Sequence, residues 1–301
     1  MRKYALLFAL IGAGLWWNAD VCAAPKGVGG KSPPACGAKV LPLVAGNSWT
    51  YGPVAAPTSI SEAMQRLVPA QPKQIVVTVT AVEKQGADVL VKLEEKHTFD
   101  ISKDSKEPKL VEETVEATIV CNDRGKFDIS PESFFFAGEP GGVHGLTFDK
   151  IERKKETSWK LVKGTIGDAE WIEEISGHFT RTPSKGSPQT KLSGGKVEIE
   201  RKFTPQPQEN VVSKFGSFKA EKLGVIQSGR VTLDDTLSPE GKPCSMKKLD
   251  PATKKEVSVP METCELPANW ISTLWLAEGV GMVQSLNSYA HMYQLLDATL
   301  N

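Results

Sequence analysis

Between Gln74 and Phe99 the chain alternates with a period of two, and that period constrains the fold more than any other feature of the sequence. Ile75, Val77 and Val79 fall on one face, with Val76, Thr78 and Thr80 on the other. After a polar Gln85-Gly86-Ala87-Asp88 turn, Val89, Val91 and Leu93 oppose Leu90, Lys92 and Glu94. Only an extended strand sends successive side chains to opposite faces, so this region is read as a β-hairpin. The same signature returns along the chain. Trp49 and Tyr51 alternate across Thr50. Leu110 to Cys121 is β-branched, and Phe127 to Phe136 continues the pattern past Pro131. Further strands are expected at 157–163, 169–175, 178–181, 196–203, 211–225 and 230–233, with a closing meander at 274–276, 281–286 and 292–299. Helix is confined to a turn or two at Ser59–Leu67. The 20 prolines and 26 glycines, spread throughout, suit many turns between short strands. The expected fold is therefore mainly β: a curved antiparallel sheet forming a half-barrel or open barrel, with a β-sandwich as the alternative and at most one or two short helices.

The first residues set the compartment. Arg2 and Lys3 precede an apolar, uncharged run from Ala5 to Trp17, long enough for a signal peptide and too short to span a bilayer. Small residues at Ala23 and Ala24 place cleavage after Ala23, which makes residues 1–23 a signal peptide and the destination periplasmic or secreted. Acylation at Cys22 is disfavoured, because Ala19, Asp20 and Val21 make a poor lipobox. Residues 24–40, rich in Gly, Lys and Pro, read as a flexible linker. Residues 41–301 read as a single β-rich domain, with no later run of 18 apolar residues to cross a membrane. Four cysteines remain: Cys36, Cys121, Cys244 and Cys264. In an oxidising compartment an even number implies two disulfides, with three connectivities open. Cys244 and Cys264 flank a stretch that would otherwise be a loose loop, so they are expected to pair as a disulfide-closed insertion. Cys36 and Cys121 then pair by elimination.

Several chemical motifs fail on inspection. Gly27-Val28-Gly29-Gly30-Lys31-Ser32 has Pro25 where a phosphate loop needs its first glycine, and no strand precedes it. Asp100-Ile101-Ser102-Lys103-Asp104 starts like a calcium loop but has Ser105 at the turn and Val111 at position twelve. His97, His144, His178 and His291 are isolated, and no cysteine pair has zinc-knuckle spacing. Lys+Arg and Asp+Glu balance at 36 each, so nothing electrostatic favours nucleic acid. No catalytic residue, metal ligand or cofactor is assigned, and the chain is expected not to be an enzyme. A hydrolase site assembled from distant residues stays as a minor alternative.

The oddest feature is Phe134-Phe135-Phe136. Three consecutive aromatics on a strand would occupy both faces, so at least one would leave the core. They read either as packing under a loop or as an apolar wall for a ligand.

Three stations carry a resemblance: Gly46-Asn47-Ser48-Trp49-Thr50-Tyr51, Gly216-Ser217-Phe218-Lys219-Ala220, and Trp275-Leu276-Ala277-Glu278-Gly279-Val280-Gly281-Met282-Val283. In this order they resemble exported bacterial β-rich proteins of unknown function with GNxWxY, GxFxA and WxAxGVGxV patterns. Glu278 stands where a proline is more usual. That group is similar to open half-barrels of the lipoprotein-carrier type. The resemblance implies the half-barrel and no catalytic residues. From the residues themselves, Trp49 and Trp275 are expected to seal opposite ends of the curved sheet. The function expected is a non-catalytic binding module. Its partner is an apolar or lipid-like small molecule held at Phe134, Phe135 and Phe136, or alternatively a cell-envelope protein.

Overall fold

A computed structural model describes residues 34–57, 70–102, 107–140, 147–153, 159–180, 194–234, 243–261 and 263–301. The leader with its cleavage site, Cys22, the Gly27–Ser32 stretch and the helix expected at Ser59–Leu67 lie outside the described residues.

The alternating runs become strands. β1 (Ser48–Val54), β2 (Gln74–Gln85), β3 (Asp88–Asp100), β4 (Leu110–Cys121) and β5 (Phe127–Ile129) form an antiparallel meander. One helical turn, α1 (Phe134–Ala137), follows. β6 (Thr147–Arg153) leads to a small separate ladder of β7 (Leu161–Val162) and β8 (Thr165–Ile166), and then to β9 (Trp171–Thr180). β10 (Gly195–Val212) and β11 (Ser217–Leu233), of 18 and 17 residues, merge several of the shorter strands expected from sequence into one long hairpin. β12 (Ser245–Leu249) and β13 (Glu256–Pro260) pair only with each other. β14 (Cys264–Pro267) lies on the end of β11, and β15 (Trp270–Ala277), β16 (Gly281–Asn287) and β17 (Met292–Thr299) close the chain.

Among the described residues the main sheet has 13 strands, in the order β5-β4-β3-β2-β1-β17-β16-β15-β11-β10-β9-β6, with β14 off this path. It is antiparallel and, among the described residues, not closed, which fits an open half-barrel and equally a sandwich. Its centre is the β1–β17 pair, where Ser48 faces Thr299 and Val54 faces Met292. On the flanking strands the buried side chains fall on one parity: Ile75, Val77 and Val79 on β2, Val91 and Leu93 on β3, Val197, Ile199 and Phe203 on β10. Along those strands one face carries the core and the other meets water, whereas β15 and β16 are buried on both parities.

Two of the three stations meet in space. Gly281 has φ 112°, and a side chain there would lie 2.7 Å from Nε1 of Trp49, so glycine is needed for both conformation and space. The Trp49 indole donates to the carbonyl of Val280. Trp49 therefore packs on the turn that follows Trp275's own strand, rather than sealing an opposite end. Asn47, fully buried, donates to the carbonyl of Pro42 and accepts from the Asn301 N–H at 2.7 Å.

The linker expectation needs correcting at its end. Ala38, Val40 and Leu41 are completely buried, and the N–H groups of Lys39 and Val40 both donate to the carbonyl of Gly164. Residues 34–40 carry enough apolar surface to pack, despite their glycine and lysine. Cys36 ties them to Cys121 at the end of β4, and Cys244 pairs with Cys264.

Candidate functional site

The Phe134–Phe136 run is not the extended segment its surroundings suggest. Ser133 caps a single helical turn, its hydroxyl accepting from the Phe135 N–H at 3.1 Å. Gly138 stops it in a left-handed conformation, φ 66°, its N–H donating to the Phe134 carbonyl. A side chain at 138 would sit 2.9 Å from Leu274 and 3.0 Å from Ser285, so only glycine fits. A helical turn fans three consecutive rings in three directions, which resolves the difficulty a strand would face. All three are buried, at 1% exposure or less. Phe134 packs on Tyr51 and Tyr293, with ring centres 5.0 and 5.5 Å away, and Phe135 meets Trp49 edge-on at 5.5 Å. Phe136 lies against the Arg201 guanidinium, 3.7 Å from the ring centre. Beyond Arg201, the rings of Phe203 and Trp171 stack at 4.7 Å.

A buried turn this short leaves its own N–H and C=O groups in need of partners. Each end receives them from a different strand. At the start, the Glu95 carboxylate on β3 accepts from Ser133 Oγ at 2.7 Å and from the Phe134 N–H at 2.8 and 2.9 Å. At the end, Arg201 of β10 donates to the Phe136 carbonyl and the Trp270 indole of β15 to that of Ala137 at 3.2 Å. Ser285 of β16 donates to the carbonyl of Gly138 at 3.3 Å. The next residue, Glu139, extends the tie to β17. Its carboxylate accepts from Asn287 Nδ2, lies 3.0 Å from His291 Nδ1 and accepts from the Tyr293 hydroxyl at 3.4 Å. Seven residues, Ser133 to Glu139, thus fasten β3 to β10, β15, β16 and β17 across the inner face. They form a latch.

Two carboxylate–histidine pairs flank this latch. Glu95 has His97 Nε2 at 3.5 Å, and Glu139 has His291; all four side chains are buried. Burial first, and the Glu95 charge second, push the Tyr51 phenol well above its ordinary range. Burial and then Glu139 do the same for Tyr293 and Tyr289. Neutral phenols therefore lie beside both carboxylates, Tyr293 as a donor to Glu139 and Tyr51 as a ring surface near Glu95. His178 is elsewhere, half-exposed beside Asp234 at 3.4 Å, and His144 lies outside the described residues. Among the described residues no three His, Cys, Asp or Glu side chains gather where a metal ion would sit.

No family model matches this chain, and no curated protein matches it. Two solved structures are similar. One is a candidate lipoprotein from Parabacteroides distasonis, 13% identical over 89% of this chain and all of that one, with a TM-score of 0.44. The other is a candidate exported protein with a YmcC-like fold from Bacteroides fragilis, 10% identical over 86% of this chain and 98% of that one, with a TM-score of 0.38. Neither likeness is close enough to say what this chain does.

Of the site residues expected from sequence, Phe134, Phe135 and Phe136 are placed together in the latch. The residues that hold them went unnoticed, although strand parity carries the signal. Glu95 and His97 continue the inward series of Val91 and Leu93. Arg201 continues that of Val197 and Ile199, and Glu173 lies between Trp171 and Ile175. A charge at an inward position of a strand requires a buried partner.

Proposed function

We propose that this protein is an exported, non-catalytic module of the cell envelope that acts by surface contact with a partner. The leader pattern and the two disulfides support export. The observation that carries contact over carriage is the latch: its rings occupy the inner face of the sheet, and both of its ends are tied by buried hydrogen bonds. An apolar ligand entering at Phe134–Phe136 would have to expel those rings and strand the Glu95 and Glu139 carboxylates without donors, at a cost of several kcal/mol. Carriage is therefore the second reading and requires the latch to open. Crosslinking in whole cells with protein- and lipid-reactive probes is expected to capture one reproducible partner, and recovery of free monomer with both would count against the module. A fluorescent lipid probe is expected to show no saturable binding. Saturable binding lost in Phe135→Ala would instead favour a carrier.

A further inference from the structure

The β12–β13 hairpin stands outside every contact described so far. Among the described residues it pairs with no other strand, and almost all its residues are exposed. An isolated two-stranded hairpin is marginal in water, and the Cys244–Cys264 bond closes this one at its base. Ser245 to Pro260 carries four lysines against two acids, and both acids are engaged internally. Asp250 accepts from the Ala252 N–H and the Thr253 hydroxyl, each at 2.8 Å, and so builds the turn. Glu256 pairs with Lys247 at 3.0 Å. Lys248, Lys254 and Lys255 have no acidic partner among the described residues. Lys254 holds a left-handed φ of 54°, at a turn position where glycine would sit without steric cost. Beside these cations Leu249 is 61% and Val257 40% exposed. From the register, Lys248 lies directly opposite Val257 and Leu249 opposite Glu256, so cations and apolar side chains share the tip.

We infer that this hairpin docks on an anionic lipid surface, its lysines among the head groups and Leu249 and Val257 in the interfacial layer. The inference rests on the contact reading above and names the partner's chemistry. Charge complementarity supplies the first argument, since uncompensated lysines at a membrane surface attract acidic head groups. Composition supplies the second. Protein-binding hot spots favour Trp, Tyr and Arg, and this hairpin has none; it has flexible lysines and aliphatic side chains. Shape supplies the third: a bare ribbon offers a planar surface its edge and tip.

The test is flotation of the oxidised chain, from Ala24 onward, with vesicles of phosphatidylcholine alone or mixed with phosphatidylglycerol. Binding is expected only to the mixed vesicles and weakens as salt rises. Each lysine lost should weaken it about fivefold. The triple variant K248Q/K254Q/K255Q should therefore bind on the order of 100-fold more weakly, and Leu249→Ser should weaken it further. Unchanged binding by the triple variant, or equal binding to both vesicles, overturns the inference. A whole-cell protein crosslink that persists in the triple variant while wild-type protein ignores the vesicles would also overturn it, and would leave the contact reading standing.

Discussion

The latch and the β12–β13 hairpin are both excursions from the sheet, and they solve opposite problems. Ser133–Glu139 turns inward, buries three aromatic rings and has its terminal hydrogen-bonding groups met from five strands. The hairpin turns outward, pairs with no other described strand and is closed by one disulfide at its base. Burial makes the first intolerant of change and its freedom makes the second permissive. Stability should therefore be concentrated at one excursion and surface chemistry at the other.

The largest effect expected comes from the longer disulfide. Cys36→Ser with Cys121→Ser opens a cross-link spanning 85 residues and should cost on the order of 4 kcal/mol in denaturant unfolding. Removing the pair at 244 and 264, 20 residues apart, should loosen the hairpin while changing global unfolding by less than about 1 kcal/mol. Equal losses would erase the distinction between the two regions. Next, Phe135→Ala should cost about 3–5 kcal/mol by urea titration, because the void sits between Trp49 and Tyr51. A loss below 1 kcal/mol would mean that the latch is dispensable.

Tyrosine ionisation sharpens the comparison by pH. A phenol whose folded pKa is raised stabilises the fold fully below its ordinary pKa, and loses that contribution as pH climbs through the raised value. Tyr51, Tyr289 and Tyr293 are all raised, chiefly by burial. In the chain from Ala24 onward, absorbance at the tyrosinate band should stay flat near pH 10 and rise only together with alkaline unfolding. A free titration near pH 10 in the folded protein would place the phenols in solvent. Smallest of all, Leu249→Ser should shift stability by no more than about 0.5 kcal/mol, measured by thermal melting.

Much of this was legible in the sequence, for a physical reason. Strand parity is local, so the Gln74–Phe99 hairpin, Leu110–Cys121 and the closing meander could be read from side-chain alternation alone. The latch could not be read that way. Pro131 and the aromatic run look strand-like, and the helical turn is held by Glu95, 38 residues away from its cap Ser133, which accepts from the Ser133 hydroxyl and the Phe134 N–H. Gly138 signalled a stop, but which carbonyls Arg201, Trp270 and Ser285 would meet depends on strands far along the chain. The linker expectation fails at its end for a similar reason: nothing local in residues 34–40 shows that Gly164, far along the chain, supplies the carbonyl that receives the Lys39 and Val40 N–H groups.

The pairing of β1 with β17 also bears on how such a chain becomes a protein at all. The first and last strands of the main sheet are neighbours at its centre, and Asn301 closes on Asn47. Half of the sheet cannot join the other half until the final residues are present, and so long a loop to close makes folding slow. A chain stopped at Ala290 is expected to stay protease-sensitive throughout, and resistance in residues 48–121 would disprove this. For a polypeptide drawn through a narrow pore from its N-terminus, that arrangement postpones the finished fold until the last strand has crossed. In a chain exported as proposed, the pairing of β1 with β17 would wait for β17 to emerge and would leave the earlier strands threadable until then.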